Sequence, residues 1–329
     1  METRSTFNSD GELDQLREFA SGAALEVVQL GPGQMSGLLA HCDLGCSSLH
    51  LNQLSLPARG RGVLSVDRWT FVVFPERVQG CFNSVPLSSE IVLAYPPGTE
   101  FQGTVTSAFH DWVFTVDLDE LSQTYAKLFQ RELSFRSRGF QLLRPAPATT
   151  QQLRELASHT LDRSRQSPQL LVDAKVRVHL HERLLELLAA SVHSAAQIEH
   201  RPCAVQMSRW QVVRRAEDYM RECADQPISL TTLCMHTHTS ERSLRRAFHD
   251  VLGVSPINYL TALRMNRVRT ELEHASQRSE TVASVATRWE FTHLGRFARD
   301  YQLFLENCRP KHFETERHRI PIVIQVVSA

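Results

Sequence analysis

Four basic side chains recur at helical spacing between residues 241 and 252, namely Arg242, Arg245, Arg246 and His249. Steps of three and four residues place them on one side of an α-helix. The other side of that helix carries the apolar residues Leu244, Ala247, Phe248 and Val251. Guanidinium groups in this arrangement can donate paired hydrogen bonds to guanine or to phosphate. The segment predicts an amphipathic helix with a core face and a cationic face, and the plainer interpretation of the latter is a solvated surface.

A shorter helix and a turn precede this segment. Ser229 predicts an N-cap, apolar residues follow at positions 230, 233 and 234, and a turn over residues 236–239 leads to a second N-cap at Ser240. Glu241 then lies in the first turn, where the helix dipole favours an anion. The pattern predicts a helix-turn-helix whose second, recognition helix carries the basic face.

The same apolar pattern occurs again 52 to 53 residues later, with Val282 in the place of Leu230 and Phe297 in the place of Leu244. This second copy has fewer cations, Arg296 and Arg299. Between the copies, the segment SPINYLTALRMNRVRTEL predicts one long helix with Pro256 in its first turn. About 17 helical residues span about 25 Å, so the two recognition helices can reach successive major grooves.

Charge is distributed unevenly along a chain whose formal net charge is zero. Residues 1–207 contain 18 Lys and Arg against 22 Asp and Glu, whereas residues 208–329 contain 18 against 14. A basic second half is typical of a region that meets phosphate. The chain has no long apolar run, no signal-peptide pattern at its start, and seven irregularly spaced cysteines. We therefore expect a soluble, cytoplasmic protein with reduced thiols.

The first part of the chain has a different pattern of apolar and turn-forming residues. From residue 24 to about residue 118, short apolar runs alternate with Gly, Pro, Ser and Asn, which predicts an antiparallel β-sandwich or barrel. Five aromatic residues on these strands are expected to fill the core or to line an apolar pocket: Trp69, Phe71, Phe74, Trp112 and Phe114.

A helical segment with one apolar face follows the predicted strands. The apolar positions of this face are Val172, Val176, Leu180, Leu184, Leu187 and Leu188. The pattern fits either packing onto the β-rich domain or a dimer helix.

The order of motifs in the second half resembles the AraC/XylS family of transcription regulators. SERSLRRAF, GVSPINYLTALRMNRVRTEL, VASVATRWEF and HLGRFARDY carry the resemblance, which covers residues 208–315. It implies an N-terminal domain of cupin-like or jelly-roll type, helices used in dimerisation, and contact with RNA polymerase. It also implies a protein that activates or represses transcription, with activation favoured.

Together these observations predict an α+β multidomain protein. The expected parts are a flexible N-terminus (1–22), a β-rich cupin-like regulatory domain (23–145), a helical dimerisation or packing segment (146–195), a linker (196–207), a double helix-turn-helix domain (208–315) and an apolar tail (316–329). We expect a sequence-specific regulator without enzymatic activity, metal or cofactor. Its expected partners are double-stranded DNA, RNA polymerase, a second copy of the chain and a small-molecule effector, and no membrane. The DNA-binding candidates are Ser240, Arg242, Arg245, Arg246, His249, Arg296 and Arg299.

Two departures from the family pattern keep alternatives open. Glu290 stands where the family has glycine, and a positive φ there would cost about 1 kcal/mol or more. Leu305 stands in another glycine position, and Pro310 comes about two residues late. One alternative is a regulator whose second unit has decayed and that acts through protein contacts. The other is a metal-dependent cupin-type enzyme with an appended helical domain, although the cupin ligand set is absent and His41, Cys42, Cys46 and His50 lack the spacing of a zinc knuckle pair.

Overall fold

A computed structural model of the 329-residue chain describes residues 4–8, 24–33, 35–135, 139–198, 204–274, 281–305 and 321–327. Strands dominate up to residue 116 and helices dominate afterwards. The described helices include none that is both long and apolar enough to cross a lipid bilayer. The chain therefore has the predicted coarse organisation, a β-rich N-terminal part followed by a helical C-terminal part.

The strands form two sheets. In chain order they are β1 (Arg4–Asn8), β2 (Ala24–Gln29), β3 (Gly37–Asp43), β4 (Ser47–Leu54), β5 (Ala58–Val63), β6 (Trp69–Val73), β7 (Gly80–Phe82), β8 (Val85–Pro86), β9 (Val92–Tyr95), β10 (Glu100–Val105), β11 (Phe109–Val116), β12 (Gln141–Arg144), β13 (Ala196–Ile198) and β14 (Pro321–Val327). The small sheet has the order β2-β5-β10-β7-β8, and the large sheet has the order β1-β14-β3-β4-β11-β6-β9-β12-β13. All described pairings are antiparallel except that of β14 with β3.

Apolar side chains of the two sheets meet in a common core. Val72, Leu93 and Val113 from the large sheet pack with Phe82 and Val105 from the small sheet. The arrangement is the sandwich-like packing that the punctuated apolar runs predict.

Strands β1 and β14 extend the large sheet from segments predicted to lie outside the domains. Residues 4–8 belong to the segment expected to be flexible, and residues 321–327 belong to the apolar tail. Their register joins Thr6 to Val323, a pairing over more than 300 residues that no local pattern reveals. The rest of 1–22 and 316–329 lies outside the described residues, except for these two strands.

Three helices cover the other face of the large sheet. They are α1 (Leu118–Phe129), α2 (Pro147–Gln166) and α3 (Ala174–Ser194), with a short 3-10 helix at Pro168–Leu171 before α3. On α3, Val176 and Leu180 are half-buried and Leu184, Leu187 and Leu188 are buried in this core. The apolar face of α3 is therefore used in packing. The inclusion of Val172 in that face was wrong, because this residue lies in the turn before the helix and is 66% exposed.

Six helices form the C-terminal part of the described chain. They are α4 (Ala204–Glu222), α5 (Leu230–Thr237), α6 (Glu241–Leu252), α7 (Pro256–His274), α8 (Val282–Arg288) and α9 (Leu294–Leu305). Strand β13 and the first residues of α4 lie within residues 196–207, which were interpreted as a linker without regular structure. The described residues of that segment, 196–198 and 204–207, are thus strand and helix, and residues 199–203 lie outside the described ranges.

Candidate nucleic-acid interface

Helices α5 and α6 form a compact first unit. Ser229 Oγ accepts a hydrogen bond from the backbone N–H of Thr232 at 3.0 Å, and Ser240 Oγ accepts one from Ser243 at 3.2 Å. Each serine thereby satisfies an N–H group that a helix start leaves without an intrahelical partner. Both predicted N-caps are confirmed, and they fix where each helix begins.

The turn between these helices depends on one residue in the left-handed region. His238 has φ of +52°, and the next N–H group, of Thr239, donates to the carbonyl oxygen of Cys234 at 3.1 Å. A residue in the left-handed region after a helix changes the direction of the chain, and the N–H groups that follow can still donate hydrogen bonds to the last carbonyl oxygens of the helix. This turn brings α6 across α5, with Leu233 of α5 and Leu244 of α6 in one core.

The two faces of α6 have the predicted division. Leu244, Ala247, Phe248 and Val251 are buried. The side chains of Arg245, Arg246 and His249 are 52%, 66% and 80% exposed, and Arg242 is also exposed. Gly253, at φ of +71°, ends the helix by donating its N–H to the His249 carbonyl oxygen. The structure therefore brings the predicted cations together on one solvent-facing surface.

Carboxylates on the same helix restrain most of these cations. Arg245 contacts Glu241 at 2.8 Å, and Asp250 lies 3.8 Å from Arg246 and 2.7 Å from Arg209 of α4. Arg242 has no carboxylate within ion-pair distance among the described residues. Its guanidinium is thus the one most available to an external anion on this face.

The second unit, helices α8 and α9, repeats the turn geometry of the first. Glu290 has φ of +63°, and the N–H group of the next residue, Phe291, donates to the carbonyl oxygen of Ala286 at 3.0 Å. His238 and Cys234 occupy the equivalent positions 52 residues earlier. Both units therefore use a left-handed non-glycine residue, and the substitution of glycine by Glu290 preserves the turn at a cost of about 1 kcal/mol.

The cationic face of α9 is sparser than that of α6. Arg296 and Arg299 are 76% and 72% exposed, and both lie within 4 Å of the carboxylate of Asp300. The apolar side chains Leu294 and Leu303 are exposed on the same helix, whereas Phe297 and Tyr301 are buried. Pro310 lies outside the described residues.

Helix α7 joins the units and is held by contacts at its middle and near its C-terminal end. Arg264 donates to the carbonyl oxygens of Ala224 and Gln226, which lie between α4 and α5, at 2.9 and 2.6 Å. Near the C-terminal end, Glu271 accepts a 2.6 Å hydrogen bond from the indole N–H of Trp289 and forms an ion pair with Arg288. These contacts tie α7 to the α4–α5 connection that precedes the first unit, and to the second unit.

Sequence reasoning missed the carboxylates of this surface as ion-pair partners. Glu241 precedes Arg245 by four residues, a spacing that favours a helical ion pair and was available in the sequence. Asp250 also pairs with Arg209, 41 residues away, which no local pattern indicates.

The N-terminal domain contains a small cavity of about 100 Å³ between its two sheets. Its apolar lining includes Val27, Phe82, Phe101 and Phe109, and its polar groups belong to Asn52 and Asp111. The side-chain amide of Asn52 donates to Asp111 at 2.8 Å, while burial raises the pKa of Asp111 to about 7. Glycine is needed at position 103, because a Cβ atom there would lie 2.7 Å from the ring of Phe82.

The aromatic residues proposed as pocket lining do not line this cavity. Trp69, Phe71, Trp112 and Phe114 pack between the large sheet and helices α1 to α3, and Phe74 belongs to the core between the sheets. Of the two expectations for these residues, core packing is therefore the one confirmed. Strand alternation tells which side chains share a face but not which face meets the other sheet.

The candidate metal residues are separated by the sheet. His41 and His50 lie opposite each other on β3 and β4, with their Nδ1 atoms 3.1 Å apart, and burial lowers the pKa of both imidazoles. His50 also contacts Ser48 at 2.8 Å. Cys42 alternates to the opposite face, in the core below the helices. Among the described residues, no group of three or more potential ligands is assembled.

Two helix-turn-helix units that share a connecting helix and expose cations define a DNA-binding protein. A family model described as a helix-turn-helix domain matches residues 233–315. The chain is 38% identical over 91 residues to a probable thc operon regulatory protein of Rhodococcus erythropolis, and 30% identical over 120 residues to XylDLEGF operon transcriptional activator 2 of Pseudomonas putida. These matches cover 28% and 36% of this chain, and 27% and 71% of the two relatives.

This chain belongs to the AraC/XylS family of transcription regulators. Among solved structures it is similar to the AraC-like transcriptional activator CuxR, with a TM-score of 0.36 and 13% identity over 82% of this chain and 96% of that one. It is also similar to ToxT from Vibrio cholerae, with a TM-score of 0.28 and 8% identity over 88% of this chain and 96% of that one.

Proposed function

We propose that the chain activates transcription by reading two successive major grooves of double-stranded DNA with α6 and α9. The observation that carries this proposal is the exposed cationic face of α6, opposite a fully buried apolar stripe. Helix α7 has 19 residues, a length of about 28 Å at 1.5 Å per residue, close to one turn of the duplex. The long α7 helix is thus suited to separate the two readers.

The two recognition helices are proposed to make different contacts with DNA. Arg242 has no competing carboxylate among the described residues and is suited to bidentate contact with guanine. Arg245 and Arg246 are held by carboxylates on α6, as Arg296 and Arg299 are by Asp300 on α9. We assign base readout mainly to α6, with Ser240 and His249 at its edges, and phosphate contact mainly to α9.

Selection of full-length protein on random duplex DNA, repeated across a salt series, tests this assignment. Arg242→Ala should weaken binding of the selected site by about 1–3 kcal/mol and relax preference at one base position. A phosphate-contacting arginine, when replaced, should weaken all sequences alike and reduce the salt slope by about one. Arg77→Ala is the matched control, since Arg77 is an exposed arginine of the β-rich domain and lies outside both the helix-turn-helix units and the 146–195 region. The same replacement by alanine is made at Arg245, Arg246, Arg296 and Arg299. If each of the five variants lost affinity equally for every DNA sequence, the assignment of base readout would be refuted.

The length of the protected DNA shows whether one or both helix-turn-helix units bind DNA. Two functional units should protect about two helical turns per protomer, and one unit about half of that. The preserved turn at Glu290 supports a functional second unit.

We further propose that the cavity between the sheets binds a small effector. Its lining is apolar apart from Asn52 and Asp111, so it suits a compact apolar molecule with one hydrogen-bonding group. Gly60 lines this cavity, and a Cβ atom there meets only the Phe101 ring, at 3.6 Å. Gly60→Leu should fill the space and abolish a thermal shift produced by benzyl alcohol as a probe. A shift that survives the substitution would place the binding elsewhere.

The remaining family properties are proposals for this chain. They are a cupin-like or jelly-roll classification of the N-terminal domain, the domain boundaries given above, a cytoplasmic location, dimerisation through the 146–195 region, contact with RNA polymerase, and the absence of catalysis. Sedimentation with and without operator DNA tests dimerisation directly.

A further inference from the structure

Strand β2 lies between the two halves of the molecule. Leu25 and Val27 face the sandwich interior, whereas Glu26 forms ion pairs with Arg221 of α4 and Arg267 of α7. Val28 is buried in the core of the C-terminal helices. The strand is therefore a structural component of both the β-rich domain and the DNA-binding helices.

The last residue of β2 reaches the end of the second recognition helix. The side chain of Gln29 is fully buried, and its Nε2 lies 2.8, 2.6 and 3.1 Å from the carbonyl oxygens of Gly31, Gly33 and Phe304. Phe304 is in the last turn of α9, and its carbonyl oxygen also accepts the N–H of Gly33 at 3.1 Å. The last carbonyl groups of a helix have no intrahelical donor, so these two donors complete the end of α9.

The main chain of the same residue is held by the connecting helix. The N–H of Gln29 donates to Asn266 Oδ1 at 3.4 Å, and Asn266 Nδ2 donates to the Gln29 carbonyl oxygen at 3.3 Å. Asn266 is buried on α7, and its side-chain amide pairs with both the N–H and the carbonyl oxygen of the last β2 residue. One residue of the N-terminal domain is thus bonded to both α7 and α9.

We infer that Gln29 and Asn266 are positioning residues for the second recognition helix. Through them, the β-rich domain fixes where α9 lies relative to α7, and therefore the distance between the two half-sites that the protein reads. This inference rests on the proposed function, since it requires α9 to bind DNA. It predicts that spacing selectivity is a property of the whole chain and not of the helical half.

Full-length Gln29→Met tests the inference, because methionine keeps the volume and removes the donor. Gln53→Met, at an exposed position of β4, is the matched control. The footprinted DNA is the site selected from random duplexes by the wild-type protein. On this site we expect Gln29→Met to retain the hydroxyl-radical protection given by α6 and to lose the protection given by α9. Changing the half-site separation by one base pair should lower the DNA affinity of the wild-type protein about tenfold, which is the typical effect of one mismatched base pair. The same change should leave the DNA affinity of the variant almost unaffected.

Asn266→Ala is a second variant with the same expected result, and it carries the test if Gln29→Met does not fold. Wild-type spacing selectivity in either folded variant would overturn the inference, as would loss of both halves of the footprint together. Unfolding of both variants would also overturn it, because the two residues would then hold the entire chain. If the wild-type protein itself protected one half-site alone, the proposal that both units bind DNA would be refuted instead.

Discussion

A buried ion pair joins the β-rich domain to the first helix of the C-terminal part. Arg59 of β5 and Glu217 of α4 are both fully buried, with Nε–Oε1 and Nη2–Oε2 distances of 2.9 and 2.8 Å. Removing one member of a buried pair leaves an uncompensated charge, which costs about 3–5 kcal/mol, whereas replacing both members by apolar residues is often neutral. We therefore expect Arg59→Met and Glu217→Met to destabilise the protein far more than the double replacement does.

The surroundings of the pair indicate which single replacement costs more. After Arg59→Met, Glu217 keeps Arg61 at 3.5 Å, so the loss should lie near 3 kcal/mol, the lower end of the range for a broken buried pair. After Glu217→Met, the partners that Arg59 keeps among the described residues are neutral, namely the Gln102 amide at 3.0 Å, the Thr104 hydroxyl at 3.4 Å and the Trp210 ring. Its loss should approach 5 kcal/mol, the upper end of that range.

A double-mutant cycle measured by urea unfolding at two salt concentrations provides the assay. The coupling energy should exceed about 2 kcal/mol and change little with salt, because a buried pair is weakly screened. Additive losses, or single losses below about 1 kcal/mol as for surface pairs, would refute the reasoning.

Three further predictions concern other parts of the chain. Glu290→Gly should raise the free energy of unfolding by about 1 kcal/mol, because glycine adopts φ of +63° without strain; an unchanged urea midpoint would contradict this. Asp111 has a pKa of about 7 when folded, against an ordinary value of 3.8, so its burial should lower stability as pH rises from 4 to 7. Asp111→Asn should therefore be more stable than wild type at pH 8, by up to about 4 kcal/mol, and lose this advantage near pH 4, as pH-dependent unfolding would show. Ser240→Ala should cost about 0.5–2 kcal/mol through loss of its cap, measured by thermal unfolding, with Ser208→Ala, at an exposed position inside α4, as the control.

Helical periodicity predicted the DNA-binding helices well, because each apolar stripe depends on residues within one helix. The burial of Leu244 and Phe248 and the caps at Ser229 and Ser240 follow from spacing and residue type alone. The repeat of the turn could be predicted as well, since both copies align in the sequence.

The interface between the two halves could not be predicted in this way. Arg59, Glu217 and Gln29 are residue types that usually lie at the surface, and their burial here depends on partners far away in sequence. The cavity was missed for a related reason, because the sequence does not show that Phe82 and Phe101, and not Trp69 or Phe114, face it. Such contacts are decided by how sheets and helices stack.

The alternation along β2 and β5 limits how the two halves can communicate. Val27 and Gly60 line the cavity, while their neighbours Val28 and Arg59 contact the DNA-binding helices on the reverse side of the same two strands. A slip of one residue would exchange these two sets, moving Arg59 into the apolar interior. A slip of one residue is therefore strongly unfavourable, so a movement transmitted through these two strands would be a tilt or bend of the pair without a change of register. An effector acting here would change the angle at which the recognition helices meet DNA, and not the identity of the residues that meet it.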